Sequence, residues 1–232
     1  MNDYALLKFN GVLLDDYLAL GYYRMGQYIF TTDSIWNNGK NYFVFWLRYP
    51  LTDFYFDKKP QKLIVANKHF TIIHRDFYID EELEDLYRLY ISEIKFDAPP
   101  TLQSYLFGEI VVDGEMYNVF ESEIIEVRDG KKLVAAGIYD NGETSIAGIM
   151  NFYDPSYKKC SPGKYLMLLK MQYAMKRQMK FYYPGYIAYE YEKFNYKLFP
   201  NPASAEILDS LKKRWVPYNQ NLLMQLMKNF SG

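Results

Sequence analysis

The spacing of apolar and polar positions changes along the chain, and each change predicts an element. Residues 4–20 mix Leu, Tyr and Phe around Asn10-Gly11, which predicts a turn and then a short helix over about 12–20. Gly21 ends that helix, because glycine tolerates the left-handed position that follows a helix. From Tyr22 to Ile73 the apolar residues gather in aromatic or β-branched runs, at 28–30, 42–47 and 70–73, and these predict strands. Asn37-Asn38-Gly39 and Lys58-Lys59-Pro60 are turn signals between them. Residues 60–68 also fit a short helix that opens with proline.

Asp80 followed by Glu81-Glu82 reads as a helix cap with acid in the first turn. Leu83, Leu86, Tyr87, Tyr90 and Ile91 follow at helical spacing, to about Lys95. Asp97-Ala98-Pro99-Pro100 stops the helix and divides the chain into an N-terminal region, 1–97, and a second domain, 98–200. The second domain opens as a meander of three strands, 118–127, 132–139 and 144–153, with hairpin turns at Asp129-Gly130 and Asn141-Gly142. A loop, 154–162, leads to a helix over about 163–180. Its first half is apolar nearly all round, and its second half, with Lys170, Lys176, Arg177 and Lys180, reads as a solvated basic end. Residues 181–188 are a further strand. Asn201-Pro202 opens a helical tail, 201–232, broken at Pro217. The fold class is therefore α/β (α+β), a mixed sheet flanked by helices with a smaller strand-rich N-terminal region. Hairpins, loop, long helix and strand follow in the order of the acyltransferase fold shared by N-acetyltransferases.

Composition narrows the partners. Half of the 232 residues are hydrophobic, enough for a substantial core, and 25 Tyr and 16 Phe supply stacking and hydrogen-bonding surface. The net charge of −1 lacks the bias of a dedicated nucleic-acid binder, so an RNA contact has to come from a local patch. The one cysteine, Cys160, forms no internal disulfide and builds no cysteine-rich zinc or iron–sulfur site. His69 and His74, five apart in a strand-like context, are not expected to pair on a metal. Asp3 and Lys8 interrupt the N-terminal stretch, and nowhere do 18 uncharged apolar residues run together, so the expected location is the cytoplasm.

Four ordered stretches carry a resemblance. They are Gly21-Tyr22-Tyr23-Arg24-Met25-Gly26; Trp46 to Leu51 with Gln61-Lys62 up to Asn67; Asn151-Phe152-Tyr153-Asp154-Pro155 with Ser161-x-Gly163-x-Tyr165; and Tyr183-x-Gly185-Tyr186 with Lys193-Phe194-Asn195-Tyr196-Lys197. Together they resemble the arginyl-tRNA–protein transferase family over about residues 20–200. The resemblance implies an acetyltransferase-like domain over 98–200 behind an aminoacyl-transferase-like region. It also implies a charged tRNA as co-substrate, an acceptor protein that begins with an acidic residue, and a place in the N-end rule pathway. No other cofactor follows. The family's N-terminal cysteine cluster is absent, since residues 33–38 read Asp-Ser-Ile-Trp-Asn-Asn, and its arginine-rich stretch near Gln61 is thin.

Transfer of an aminoacyl ester to an amine needs a positioned neutral amine, donors for an oxyanion and a cation for an acidic acceptor. Tyr165, Tyr186 and Asp154 are the candidate catalytic residues, as hydroxyl donors and a base. Arg24, Lys193, Tyr196, Lys197, Tyr183 and Gly163 are the candidate binding residues. A Lys158–Tyr165 loop with one glycine and a proline departs from the glycine-rich loop that cradles coenzyme A, which favours a different acyl donor. Two alternatives stand beside the transferase: a module that binds N-terminal residues without turnover, and a small-molecule acyltransferase of the same fold. The transferred amino acid is expected to be arginyl or leucyl, with arginyl first, and the oligomeric state is open.

Overall fold

In a computed structural model of the chain, residues 8–37, 39–94, 98–108, 111–112, 115–116 and 118–230 are described. Asn38, Lys95 and Asp97, named above in a turn, a helix end and a boundary, lie outside the described residues. In chain order the elements begin with α1 (Gly11–Ala19), β1 (Tyr23–Met25), β2 (Tyr28–Phe30), β3 (Ser34–Asn37), β4 (Lys40–Pro50), α2 (Lys58–Ala66) and β5 (Thr71–Asp76). Then follow α3 (Glu81–Ser92), α4 (Leu102–Phe107), β6 (Val111–Val112), β7 (Glu115–Met116), β8 (Ser122–Asp129), β9 (Lys132–Asn141) and β10 (Ser145–Tyr153). The last are α5 (Pro162–Lys176), β11 (Phe181–Ala188), β12 (Glu206–Asp209), β13 (Arg214–Pro217) and α6 (Gln220–Phe230).

One nine-stranded mixed sheet organises the molecule, in the order β13-β12-β4-β11-β10-β9-β8-β5, with β3 added on β4. Only β10 and β11 run parallel among its pairs. Residues alternate between its faces, as a strand's period of two requires. Ile125, Ala135 and Tyr139 face the α5 side, with α2 and α6. Ile124, Ala136 and Ile138 face α3 and α4. Beside these, Leu14 and Leu18 of α1 pack with Trp46, Tyr183 and Leu208. Strands from before residue 97 and after residue 201 join those of 98–200 in this sheet.

Local signals explain most boundaries. Asp80 caps α3 by accepting from the Leu83 amide at 2.9 Å, and Glu81, Glu82 and Glu84 stand in its first turn. Gly21 follows α1 with φ +82°, the left-handed stop expected of it. Two expectations fail. Asn201 does cap, accepting from the Ala203 amide at 3.1 Å, but only a three-residue 3-10 turn follows before β12 and β13. Pairing of β12 with β4 outweighs that local signal, so the tail is helical only from Gln220. Lys170 does not begin a solvated half of α5, because it is fully buried.

Candidate functional site

The parallel pair β10–β11 holds for three residues only, Ser145–Ala147 against Phe181–Tyr183. Beyond them each strand follows its outer neighbour. β10 bulges against β9 between Gly148 and Met150, and β11 bulges against β4 between Tyr182 and Gly185. Bulges add a residue and bend the strand, so the pair opens as a V. Pro184 has no amide hydrogen to offer across the gap, and Gly185 sits at φ +94°, open to glycine at little cost. Tyr23 bridges the neck of the V. Its buried hydroxyl lies 2.5 Å from the Gly148 carbonyl and 2.9 Å from the Tyr183 carbonyl, and burial raises its pKa well above the usual phenol value.

The V opens into a cavity of about 480 Å³. Gly148 to Asn151 line it from β10, Gly185 and Tyr186 from β11, and Met167 and Lys170 from α5. Trp46 of β4 and the 3-10 turn Glu192–Leu198, through Phe194, Tyr196 and Lys197, complete an aromatic wall. Trp46 meets Tyr186 edge-on at 5.3 Å between ring centres, and Tyr186 meets Phe194 in the same way at 5.3 Å. The ionisable Arg, Lys, Asp and Glu residues of the lining, among the described residues, are Arg24, Lys170 and Lys197, all basic.

These three basic side chains differ in what they have left to give. Arg24 pairs with Asp140 at 2.9 Å, both fully buried, and also donates to the Gly26 carbonyl at 2.7 Å and the Ser122 hydroxyl at 3.0 Å. Its other nitrogen faces the Leu106 carbonyl at 3.4 Å, and its plane covers the Phe120 ring at 4.4 Å. The guanidinium is thus a structural brace at the cavity edge. Burial raises the Asp140 carboxyl pKa, with Arg24 and Ser122 opposing that rise. Lys170 donates to the Ile138 and Met150 carbonyls at 2.7 and 3.0 Å and to Asn151 Oδ1 at 2.8 Å. Burial pulls its pKa down to about 7, while three acceptors match the three protons of an ammonium. Lys197 donates to the Tyr186 carbonyl at 2.8 Å and lies 4.9 Å from the centres of both the Tyr186 and Phe194 rings. Burial pulls its pKa to about 7 as well. An ammonium has three donors, so Lys197 can still bind a ligand.

The cavity therefore gathers four of the nine candidate residues: Arg24, Tyr186, Tyr196 and Lys197. Gly163 lines an adjoining concavity, and its carbonyl accepts from the Asn151 amide at 3.1 Å. The other four lie elsewhere. Tyr165 points from α5 toward α2, its hydroxyl 3.4 Å from the Asn67 carbonyl. Tyr183 does not line the cavity; it packs in the cluster beneath α1, edge-on against Trp215. Asp154 caps the turn Pro155–Cys160 through Ser156 and accepts from Lys132 at 2.6 Å. Burial raises its pKa, but the bonds from Lys132 and Ser156 outweigh that and hold it below the usual carboxylate range. A carboxylate so satisfied is a poor base. Lys193 is exposed and does not line the cavity. The sequence reading passed over Tyr23, Trp46, Asn151 and Lys170. The first three stand inside the motifs quoted for the resemblance, and Lys170 interrupts an apolar run, Tyr165 to Met171, where a lone lysine has to be buried. Among the described residues no group of His, Cys, Asp and Glu could hold a metal ion.

Similarities to known proteins bear on this arrangement. FemX has a similar fold over 78% of this chain and 61% of its own, with a TM-score of 0.50 and 10% identity. The aspartate/glutamate leucyltransferase of Hahella chejuensis (strain KCTC 2396) is 27% identical over 194 residues, 82% of this chain and 79% of its own length. Arginyl-tRNA–protein transferase 1 of Dictyostelium discoideum is 30% identical over 137 residues, 56% of this chain and 21% of its own. Residues 82–205, from the start of α3 to the start of β12, match the family model described as arginine-tRNA-protein transferase, C terminus. That span is more than half of the chain and contains both arms of the V, and the chain belongs to this family of aminoacyl-tRNA–protein transferases.

Proposed function

We propose that the protein moves an aminoacyl group with an apolar side chain, leucyl before arginyl, from charged tRNA to the α-amine of a protein that begins with Asp or Glu. The observation that carries this reading is the lining of the cavity at the β10–β11 opening: aromatic walls, three basic side chains and, among the described residues, no carboxylate. A guanidinium side chain entering there finds no carboxylate among the described lining residues, and a leucyl side chain meets Trp46, Phe30 and Met167. An acidic acceptor side chain finds Lys197, the cation with donors to spare. The sequence reading put arginyl first; the lining favours the apolar donor.

In this reading the acceptor α-amine attacks the ester carbonyl. A C–N bond forms, the ester C–O bond breaks, and a proton from the amine ends on the departing ribose oxygen. The ester is already activated, so positioning supplies most of what the protein has to add. In this reading the Tyr186 and Tyr196 hydroxyls and the bulged β10 backbone around Ile149, all in the cavity lining, donate to the oxyanion. Burial raises the Tyr186 pKa, so its hydroxyl stays protonated and able to donate. The product exposes a new apolar N-terminal residue, the mark read in the N-end rule pathway.

The test incubates purified protein with leucyl- or arginyl-tRNA and peptides that begin with Asp, Glu or Ala. Leucine should appear on the Asp and Glu peptides, with slower transfer to Ala. Preferred transfer of arginine would overturn the donor assignment, and no transfer from any charged tRNA would overturn the reaction.

A further inference from the structure

Three further concavities continue from the central cavity. The first, of about 350 Å³, shares Asn151 and Tyr196 with it. The second, of about 360 Å³, shares Ser161 and Lys164 with the first. The third, of about 420 Å³, shares Lys62 with the second and lies along α2. They form one trench from the reaction cavity, past the start of α5, to the outer side of α2.

Two features of this trench differ from the surface around it. Its charged residues, among the described residues, are Lys158, Lys164, Lys59, Lys62 and Lys58, with no carboxylate in the lining. None of the five is held in an ion pair among the described residues, although the chain as a whole carries a net −1. At the cavity end the walls are rings. Tyr90 and Tyr153 stand 5.2 Å apart at 57°, with Tyr196 completing the box. Lysines in a row suit a chain of phosphates, and a box of tyrosines suits a nucleobase.

We infer that the tyrosine box receives the terminal base of the donor RNA and that the lysine trench carries its phosphates away over α5 and α2. This rests on the reading above. An aminoacyl ester hangs from the ribose of the last nucleotide, so that base must lie within one nucleotide of the reacting carbonyl. The box adjoins the cavity at that reach. An acidic protein segment would use the lysines and leave the rings without a partner, so RNA is the better fit. The thin arginine stretch near Gln61 is replaced in this arrangement by lysines from two separate segments that the fold brings to one groove.

The test uses an uncharged tRNA acceptor-stem hairpin with a single-stranded CCA end, titrated against the full chain at several salt concentrations. Lys59→Glu/Lys62→Glu/Lys158→Glu should weaken binding at least tenfold, and the slope of log K against log salt should fall by about 0.7 for each single-strand phosphate deprived of its lysine. Lys212→Glu, on the far β12–β13 turn, should change neither. Tyr153→Leu should weaken binding by about tenfold, the size of one base–aromatic stack, and Tyr153→Phe should recover most of it. Parallel transfer assays separate two failures. Wild-type transfer with an unchanged KM for tRNA in the lysine variant would overturn the trench and leave the reaction standing. A wild-type chain that binds no hairpin and transfers nothing would overturn both. Lysine variants that lose acidic-peptide binding but keep hairpin binding would make the trench a peptide site and overturn the inference.

Discussion

Lys193 and Lys197 show how much one turn type decides. Four residues apart, they would share a face on an α-helix, but Glu192–Leu198 is a 3-10 turn with three residues per turn. Lys197 therefore enters the cavity while Lys193 stays outside. That separation was not legible in the sequence, because Lys-x-x-x-Lys reads alike in both geometries. Burial without a carboxylate holds the Lys197 pKa near 7, so the residue is mostly a cation below pH 7 and mostly neutral above it. If the cation grips the acceptor's acidic side chain, KM for an Asp-starting peptide rises between pH 6 and pH 8. Over the same interval kcat rises, because the acceptor amine loses its proton near about 7.7–8.0. Lys197→Met should remove the KM trend, keep the kcat trend, and lower kcat/KM for the Asp peptide by about 10–100-fold, the effect of removing one charge-assisted bond. An unchanged preference for Asp over Ala in this variant would place acceptor selection elsewhere.

At the scale of elements, the motifs mark the V better than any propensity. Gly21 to Gly26 supplies the bridging Tyr23 and the brace Arg24, and Tyr183 to Tyr186 contains the bulge that opens β11. Strands β8, β9 and β10 and helices α3 and α5 were legible because their periodicity and turns agree with the sheet. Strands β12 and β13 were not, because β12 takes its conformation from β4, some 160 residues earlier in the chain, and β13 pairs in turn with β12. Gly185 tests whether the opened strand matters. Its φ of +94° strains any side chain, and a Cβ there would stand 3.1 Å from Lys197 Nζ. Gly185→Ala should cost about 1–3 kcal/mol of stability in denaturant unfolding. It should also shift KM for acidic peptides more than KM for tRNA. Equal effects on the two substrates would mean that the substitution acts through the fold alone.

For the whole molecule, the division drawn at Asp97 and Pro200 meets a sheet that ignores it. β4, from the first region, lies between β11 of the second and β12 of the third. β5, also from the first region, pairs with β8 along six residues. A fragment 98–200 would leave the outer edge of β11 unpaired and strip β4 and α2 from the face that packs α5. Exposed apolar edges of that kind aggregate. The full chain should therefore unfold in one cooperative transition, and the fragment should be insoluble or unfolded. The tryptophans provide the measurement, since Trp36, Trp46 and Trp215 all lie outside 98–200 while α5 lies within it. Fluorescence reports the flanking regions and far-UV circular dichroism reports the middle one along with the rest. Coincident midpoints in urea are the expected result for a single unit. Fluorescence lost well before the helical signal would mean that the central segment holds its own core, and the sequence division would stand as a folding boundary after all.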